Sequence, residues 1–231
     1  MIDIHSHILF DIDDGARDMD ESVRMIHAAG KEGIKVIIAT PHFREHMLNP
    51  EKTYDNYRIL LEKTRNIGID LKLGFEIALN PILAKAVNIV DKHSLNATKY
   101  VLVEFPYFGF SEHSFKLLDL FQKNKFKQII AHPERNGRGF GSKRTISKLK
   151  ELGYLIQVNA GSIAGTYGVR AKGMAKYLIK NKIADFVASD AHRESYYSWY
   201  SKAWQNVIKW SDEDYANKLF YENGKKILNT M

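Results

Sequence analysis

The chain has 231 residues, 45% hydrophobic and 26% charged, which suits one well-packed globular domain or at most two small ones. It has no cysteine, which excludes disulfides, thiolate metal sites and cysteine nucleophiles together, so any hydrolytic chemistry must come from oxygen nucleophiles, general bases or metals. A net charge of +7, from 34 basic and 27 acidic residues, suits anionic partners, although Lys and Arg are scattered with no dense block, as on an ordinary solvated surface.

The first apolar run, 2–5, predicts a strand that delivers His5 and His7 at its end, followed by the loop sequence Asp13-Asp14-Gly15. An amphipathic helix follows over 18–32, with Val23, Ile26 and Ala29 at helical spacing and Gly33 as its stop. Strand 36–40 leads to His42, and a helix over 53–66 ends near Gly68. Strand 71–76 ends in Glu76; strand 100–105 carries Glu104 between Val103 and Phe105. Ser111 caps a helix over 111–123, strand 128–132 ends in His132, and a helix over 142–152 stops at Gly153. Strand 155–159 ends in Asn159-Ala160-Gly161, a helix covers 169–181, and strand 184–189 delivers Asp190 and His192. Ser211 with Asp214 reads as a variant capping box for a last helix.

Strands alternating with helices predict a parallel α/β architecture, either an open doubly wound sheet or a closed barrel. No repeat, low-complexity stretch or linker interrupts the pattern, so residues 1–231 are expected to form a single domain. Met1-Ile2-Asp3-Ile4-His5 is too polar for a secretory signal, and no apolar run reaches the roughly 18 residues of a membrane span. A cytoplasmic protein without membrane insertion is the expectation.

Six of the seven predicted strands end in a histidine or a carboxylate. In parallel barrels the C-terminal strand ends converge on one face, where active sites are built. His5 and His7, two apart in extended chain, project from the same face, and Asp190 and His192 repeat the spacing. Glu104 and Glu76 sit among apolar residues, an expensive place for a carboxylate unless it is paired or metal-bound. Nine candidate ligands, His5, His7, Asp14, His42, Glu76, Glu104, His132, Asp190 and His192, are too many for one tetrahedral ion. Two or three ions sharing carboxylates are expected, and mixed imidazole and carboxylate donors suit Mn, Fe or Zn. His27, His46, His93 and His113 fall in helical or loop segments and are expected to be structural.

The opening Ile2-Asp3-Ile4-His5-Ser6-His7 with Asp13-Asp14-Gly15 resembles the PHP (polymerase and histidinol phosphatase) superfamily. Ala39-Thr40-Pro41-His42, Ala131-His132-Pro133-Glu134-Arg135-Asn136 and Ala188-Ser189-Asp190-Ala191-His192 resemble one branch of it, the bacterial metal-dependent tyrosine-protein phosphatases of capsule and exopolysaccharide operons, the CpsB/YwqE type. The resemblance runs from Met1 to about His192 and is looser beyond. It implies a distorted seven-stranded, TIM-like (β/α) barrel holding three divalent ions, usually manganese. Carried over by position, His5, His7, Glu76 and Asp190 would hold one ion; Glu76, Glu104 and His132 a second; Asp14, His42 and His192 the third. The implied substrate is phosphotyrosine on the tail of a cognate bacterial tyrosine kinase that controls polysaccharide export. Members of the branch often carry an arginine about five residues after the last histidine; Tyr197 stands there here, and Arg193 is the nearest substitute.

In the expected mechanism a water shared by two ions attacks phosphorus in line. Arg135 stabilises the equatorial oxygens, its competing role being a rim salt bridge with Glu134. His42 or His192, with a metal, assists the leaving phenol. The aromatic stretch 105–110 is expected to wall the pocket or to pack a loop. Tyr196, Tyr197, Trp199 and Tyr200 are expected at a pocket rim or at a subunit contact of a homo-oligomer. Competing functions are histidinol phosphate or nucleic-acid-end hydrolysis in the same superfamily, although no basic stripe interleaved with aromatics marks nucleic acid, and a non-catalytic phosphopeptide-binding module.

Overall fold

A computed structural model describes residues 1–43, 51–79, 90–105, 112–136 and 142–229. The strands are β1 (Ile2–Ser6), β2 (Val36–Ala39), β3 (His42–Phe43), β4 (Asp70–Leu73), β5 (Glu76–Ala78), β6 (Tyr100–Glu104), β7 (Lys127–Ile130), β8 (Leu155–Asn159) and β9 (Phe186–Ala188). They form two sheets, ordered β1-β2-β4 and β3-β5-β6-β7-β8-β9, with every neighbouring pair parallel.

Nine strands therefore stand among the described residues where the sequence predicts seven. The run 71–76 breaks at Gly74-Phe75, and His42-Phe43 forms a strand of its own beyond 36–40. A side chain at residue 74 would meet Leu95 Cδ2 at 2.7 Å, so the backbone bends closely over Leu95. On the neighbouring run Pro41, which has no N–H to give a ladder, still accepts the Glu76 N–H at 3.1 Å. Both runs break at the same level, and the β2–β4 pair passes its alignment on to β3–β5. At the other edge the Asp190 N–H donates to the His5 carbonyl and the His7 N–H to the Ala191 carbonyl, both at 2.9 Å, tying the chain after β9 to β1.

The helices are α1 (Met19–Lys31), α2 (Glu51–Thr64), α3 (Val90–His93), α4 (Glu112–Lys123), α5 (Lys143–Glu151), α6 (Ala160–Ala164), α7 (Gly168–Lys180), α8 (Ser198–Trp210), α9 (Glu213–Asn217) and α10 (Asn223–Leu228). Asp18 caps α1 by accepting the Glu21 N–H at 2.8 Å, and Ser142 caps α5 by accepting that of Thr145 at 3.2 Å. The last capping assignment needs correction. Asp212, not Ser211, accepts the Tyr215 N–H at 2.7 Å, because Asp212 holds the extended backbone a cap requires.

Strand residues on one face, among them Ile37, Val101, Val103 and Val158, pack with Met25, Leu60, Leu117 and Leu178 of the helices. Residues on the opposite face, including Ile4, Ile38, Leu102 and Ile129, form a second cluster closed by Leu95 and by Ile227 of α10. Both faces of the strands are thus buried, which explains apolar runs in place of alternation. The histidines and acidic residues singled out from the sequence gather at the C-terminal strand ends. No helix among the described residues is long and apolar enough to cross a membrane.

Candidate metal centre

Four donors meet at the base of the mouth. His5 Nε2 lies 3.2 Å from His7 Nε2, 3.4 Å from Glu76 Oε2 and 3.4 Å from Asp190 Oδ1. His7 Nε2 lies 3.5 Å from the same Glu76 oxygen and 3.3 Å from the same Asp190 oxygen. Ligand bonds of about 2.1 Å place tetrahedral neighbours about 3.4 Å apart, so these five distances have the length that edges of a cation's coordination shell would have. Two imidazole nitrogens and two carboxylate oxygens facing one point cannot all satisfy one another with protons. Glu76 Oε2 and His42 Nδ1 are buried without a hydrogen-bond partner although they stand 2.9 Å apart. The donor set therefore fits divalent cations.

The other donors ring this base. His132 Nε2 contacts Glu76 Oε1 at 3.0 Å, and His42 Nδ1 stands 3.9 Å from Glu104 Oε2. Asp14 Oδ1 lies 3.5 Å from His42 Nε2 and 3.4 Å from His192 Nε2. All nine residues named from the sequence come together, in four overlapping groups of potential ligands that share His5, His7, His42 and Glu76. Local backbone helps to aim them: His132 (φ 30°) and Asp190 (φ 50°) both adopt the left-handed region, uncommon for residues other than glycine and typical of sites where structure overrides local preference.

The electrostatics fit the same picture. Burial opposes ionisation of Glu76, but the nearby imidazoles of His5, His132 and His42 hold its carboxyl well below the usual range. Burial and the neighbouring Glu76 charge push Glu104 up. Against burial, the bond to Glu76 carries His132 up to about 9. One carboxylate raising another while imidazoles gather protons is a site short of positive charge.

Several positioning residues escaped the sequence reading. Asp13 Oδ2 accepts from His7 Nδ1 at 2.8 Å and from the His42 N–H at 2.9 Å, fixing two donors at once. Burial opposes its charge, yet the His7 bond brings Asp13 down to about 2. Gln157 Oε1 meets His5 Nδ1 at 3.0 Å, and Asn159 Nδ2 donates to Asp190 Oδ2 at 2.8 Å. The strand that ends without a candidate ligand thus orients candidate ligands delivered by other strands. The Gln157–Val158–Asn159 alternation was the available signal, two amides on one face of a buried strand.

Arg135 pairs with Asp190 Oδ2 at 2.5 Å and lies 4.4 Å above the Tyr167 ring. Its anticipated competitor partner, Glu134, is turned inward and accepts the Asn159 N–H at 2.9 Å. Arg135, Tyr167, Asp14, His192, Arg193 and Tyr196 line a cleft of about 360 Å³ over the cluster. Arg193 is tied to the carbonyls of Asp14 and Gly15, at 3.0 and 2.6 Å. Tyr197 is fully buried, its hydroxyl 2.8 Å from that of Ser6, and Tyr200 is buried with it. Of the second aromatic group, Tyr196 and Trp199 are the rim residues, stacked at 4.3 Å. His93 packs between Phe43 and Phe75, at 4.1 and 4.6 Å, and His27 is exposed. His46, the stretch 106–110 and the side chain of His113 lie outside the described residues.

A parallel α/β framework with imidazoles and carboxylates gathered at the C-terminal strand ends is the plan of metal-dependent α/β hydrolases. The chain belongs to the CpsB/CapC family of capsular polysaccharide synthesis, whose pattern matches residues 1–229. It is 32% identical to the tyrosine-protein phosphatase YwqE of Bacillus subtilis (strain 168), over 99% of this chain and 91% of that protein. It is 28% identical to the tyrosine-protein phosphatase CpsB of Streptococcus agalactiae, over 99% and 98%. Among solved structures, it matches a chain from the crystal structures of YwqE from Bacillus subtilis and CpsB from Streptococcus pneumoniae, metal-dependent tyrosine phosphatases, with TM-score 0.89, 31% identity and coverage of 100% and 95%. A histidinol phosphate phosphatase from Lactococcus lactis, at TM-score 0.57 and 14% identity over 91% and 92%, shares the fold. The family resemblance drawn from the motifs is borne out.

Proposed function

We propose that this chain is a metal-dependent protein-tyrosine phosphatase acting in the cytoplasm on the phosphorylated tail of a tyrosine kinase that controls capsular or exopolysaccharide synthesis. The observation that carries this reading is the quartet His5, His7, Glu76 and Asp190, spaced as a coordination shell beneath an arginine-lined cleft. Full-length kinship with tyrosine-protein phosphatases supports the substrate class. We read the two sheets as arcs of one distorted seven-segment barrel within a single domain. In it three cations, manganese by preference, would be held by His5, His7, Glu76 and Asp190; by Glu76, Glu104 and His132; and by Asp14, His42 and His192.

When bound, such cations supply charge toward the phosphoryl oxygens and make water acidic enough to attack at neutral pH. The chain's own residues do the rest. Arg135 presents a planar fork of donors at the cleft wall; its pairing with Asp190 and its seat on Tyr167 hold the guanidinium ready for phosphate oxygens. Tyr167 and Tyr196 offer ring faces to a phenyl group entering the cleft. His42 has Nδ1 directed at Glu76 and Nε2 at Asp14, so neither nitrogen is free to carry a proton to the leaving phenol. His192 is engaged in the same way, with Nδ1 3.0 Å from the Asp190 carbonyl and Nε2 3.4 Å from Asp14, but of the two it is the one that lines the cleft where the leaving phenol would stand. A phenol of pKa about 10 needs only modest help to leave.

Purified protein loaded with manganese is expected to hydrolyse p-nitrophenyl phosphate and phosphotyrosine peptides, to lose that activity in chelator and to regain it with added metal. Histidinol phosphate and phosphorylated DNA ends serve as comparison substrates. Full turnover after exhaustive chelation, or preference for either comparison substrate, overturns the proposal.

A further inference from the structure

The groove between α7 and α8 takes no part in the chemistry proposed above. Lys172, Lys176 and Lys180 line one wall, Lys209 and Trp210 the other, around a volume of about 540 Å³. Spacing of four residues puts the three α7 lysines on one helical face. The lysines that do form ion pairs near here are different ones: Lys150 holds Asp185 and Lys182 holds Asp212. Among the described residues no carboxylate pairs with any of the four in the groove. Four uncompensated cations facing one channel concentrate positive potential there and attract an anionic chain.

The groove begins close to the cleft. Val169, with 92% of its surface exposed, stands at its upper end, two residues beyond Tyr167, whose ring lines the cleft beside Arg135 and His192. At the head of α8, Trp199 packs against Tyr167 at 5.8 Å and against Tyr196 at 4.3 Å. Both helices therefore start at the cleft rim and lead away from it. Over the thirteen residues of α7 the channel runs about 20 Å. An extended peptide covers about 3.3 Å per residue, so positions roughly two to six away from a residue in the cleft lie over Lys172 to Lys180.

We infer that this groove is a docking channel for the acidic flank of a phosphotyrosine-bearing polypeptide, a recognition site separate from the metal centre. The inference rests on the phosphatase reading, and its chemistry is that of glutamate, aspartate or further phosphate groups presented along an extended chain. The channel binds the flank and leaves the reacting atoms untouched. Docking therefore appears in KM and in binding, not in kcat.

The test compares two peptides with one phosphotyrosine each, flanked on both sides at positions two to six by glutamates in one and by glutamines in the other. Wild-type protein and the K172Q/K176Q/K180Q variant are measured in manganese for kcat and KM. Fluorescence anisotropy of the same peptides, with a non-hydrolysable phosphonomethyl-phenylalanine replacing phosphotyrosine, reads docking without turnover. The wild type is expected to favour the glutamate peptide about ten-fold, the sum of three exposed ion pairs, in both KM and anisotropy. The variant loses that preference while keeping kcat and p-nitrophenyl phosphate hydrolysis, and salt near 0.5 M erases it, about the level where screening shortens to a few ångströms. Equal affinity of the wild type for the two peptides overturns the inference, as does a preference that survives the triple substitution. So does single-stranded RNA displacing the glutamate peptide at lower concentration than unlabelled peptide does, which would assign the groove to nucleic acid. Absent hydrolysis with intact, lysine-dependent anisotropy would instead remove the phosphatase reading and leave the channel standing.

Discussion

The candidate centre has an inner and an outer half, and they are built differently. The side chains of His5, His7, Glu76 and Asp190 are at most 2% exposed, whereas Asp14 is 65%, Glu104 30% and His192 20% exposed. Each inner histidine, and Asp190, has a dedicated partner behind it: Gln157 for His5, Asp13 for His7, Asn159 for Asp190. Asp14, by contrast, meets only the edges of His42 and His192. Preorganised donors lose little entropy when a cation arrives, and buried ones act through a low dielectric. The inner position is therefore expected to hold its ion tightly and the outer one to exchange. Removing metal with graded chelator should show two phases, activity falling in the first and regained by added manganese, with residual metal retained by the inner donors.

The largest expected effect is at Glu76, which belongs to the inner quartet and also contacts His132 and His42. Glu76→Gln removes the charge that makes the closest contacts to both halves. A loss of about a thousand-fold or more in kcat/KM is expected, with loss of bound metal by elemental analysis. Activity within ten-fold of wild type would break the idea of a shared inner anchor. Next comes Arg135→Lys, which keeps the charge but loses the fork. A fall of about 100-fold in kcat with metal content intact is expected, separating phosphate handling from ion holding. Loss of metal in that variant would show instead that the Asp190 pairing is its main role.

Asp13→Asn tests the orienting layer. The amide would face His7 Nδ1 with a donor or a weaker acceptor, and outer-shell changes of this kind cost about 10- to 100-fold in metal affinity. Metal titration of the folded variant should show that weakening in the tight phase, since His7 belongs to the inner quartet. An effect confined to the loose phase would mean that Asp13 acts mainly through the His42 backbone.

The candidate ligands were legible because their chemistry and their place coincide. His5, His42, Glu76, Glu104, His132 and Asp190 each stand at the end of an apolar run, and a parallel α/β plan sends such ends to one face. What supports them was less visible. Asp13 reaches His7 only because the loop folds back so tightly that a side chain at Gly15 would come within 2.1 Å of the His7 carbonyl, a closure that no periodicity records. Tyr197 looked like a rim residue by its position in the chain, yet the turn Glu194–Tyr197 points it inward to Ser6, while Tyr196 stays outside. The break at Gly74 lies under the close approach of Leu95 from a distant segment. The α7 lysines were scattered charge in the sequence. Only the packing of α8 beside them makes a channel.

The smallest effect is expected at the most exposed donor. Asp14 is open to water, so its charge is screened and its contribution to holding an ion is that of a surface carboxylate. His192 draws its carboxyl well below the usual range against a smaller opposing contribution from burial, which keeps it charged across the working range of pH. Asp14→Asn should therefore weaken only the loosely held metal, by about three- to ten-fold, and activity should return when manganese is raised by the same factor. Glu76→Gln should not be rescued this way, since no concentration of metal restores the missing carboxylate charge. If Asp14→Asn proves equally beyond rescue, exposure does not rank these donors, and the outer position must be as firmly built as the inner one.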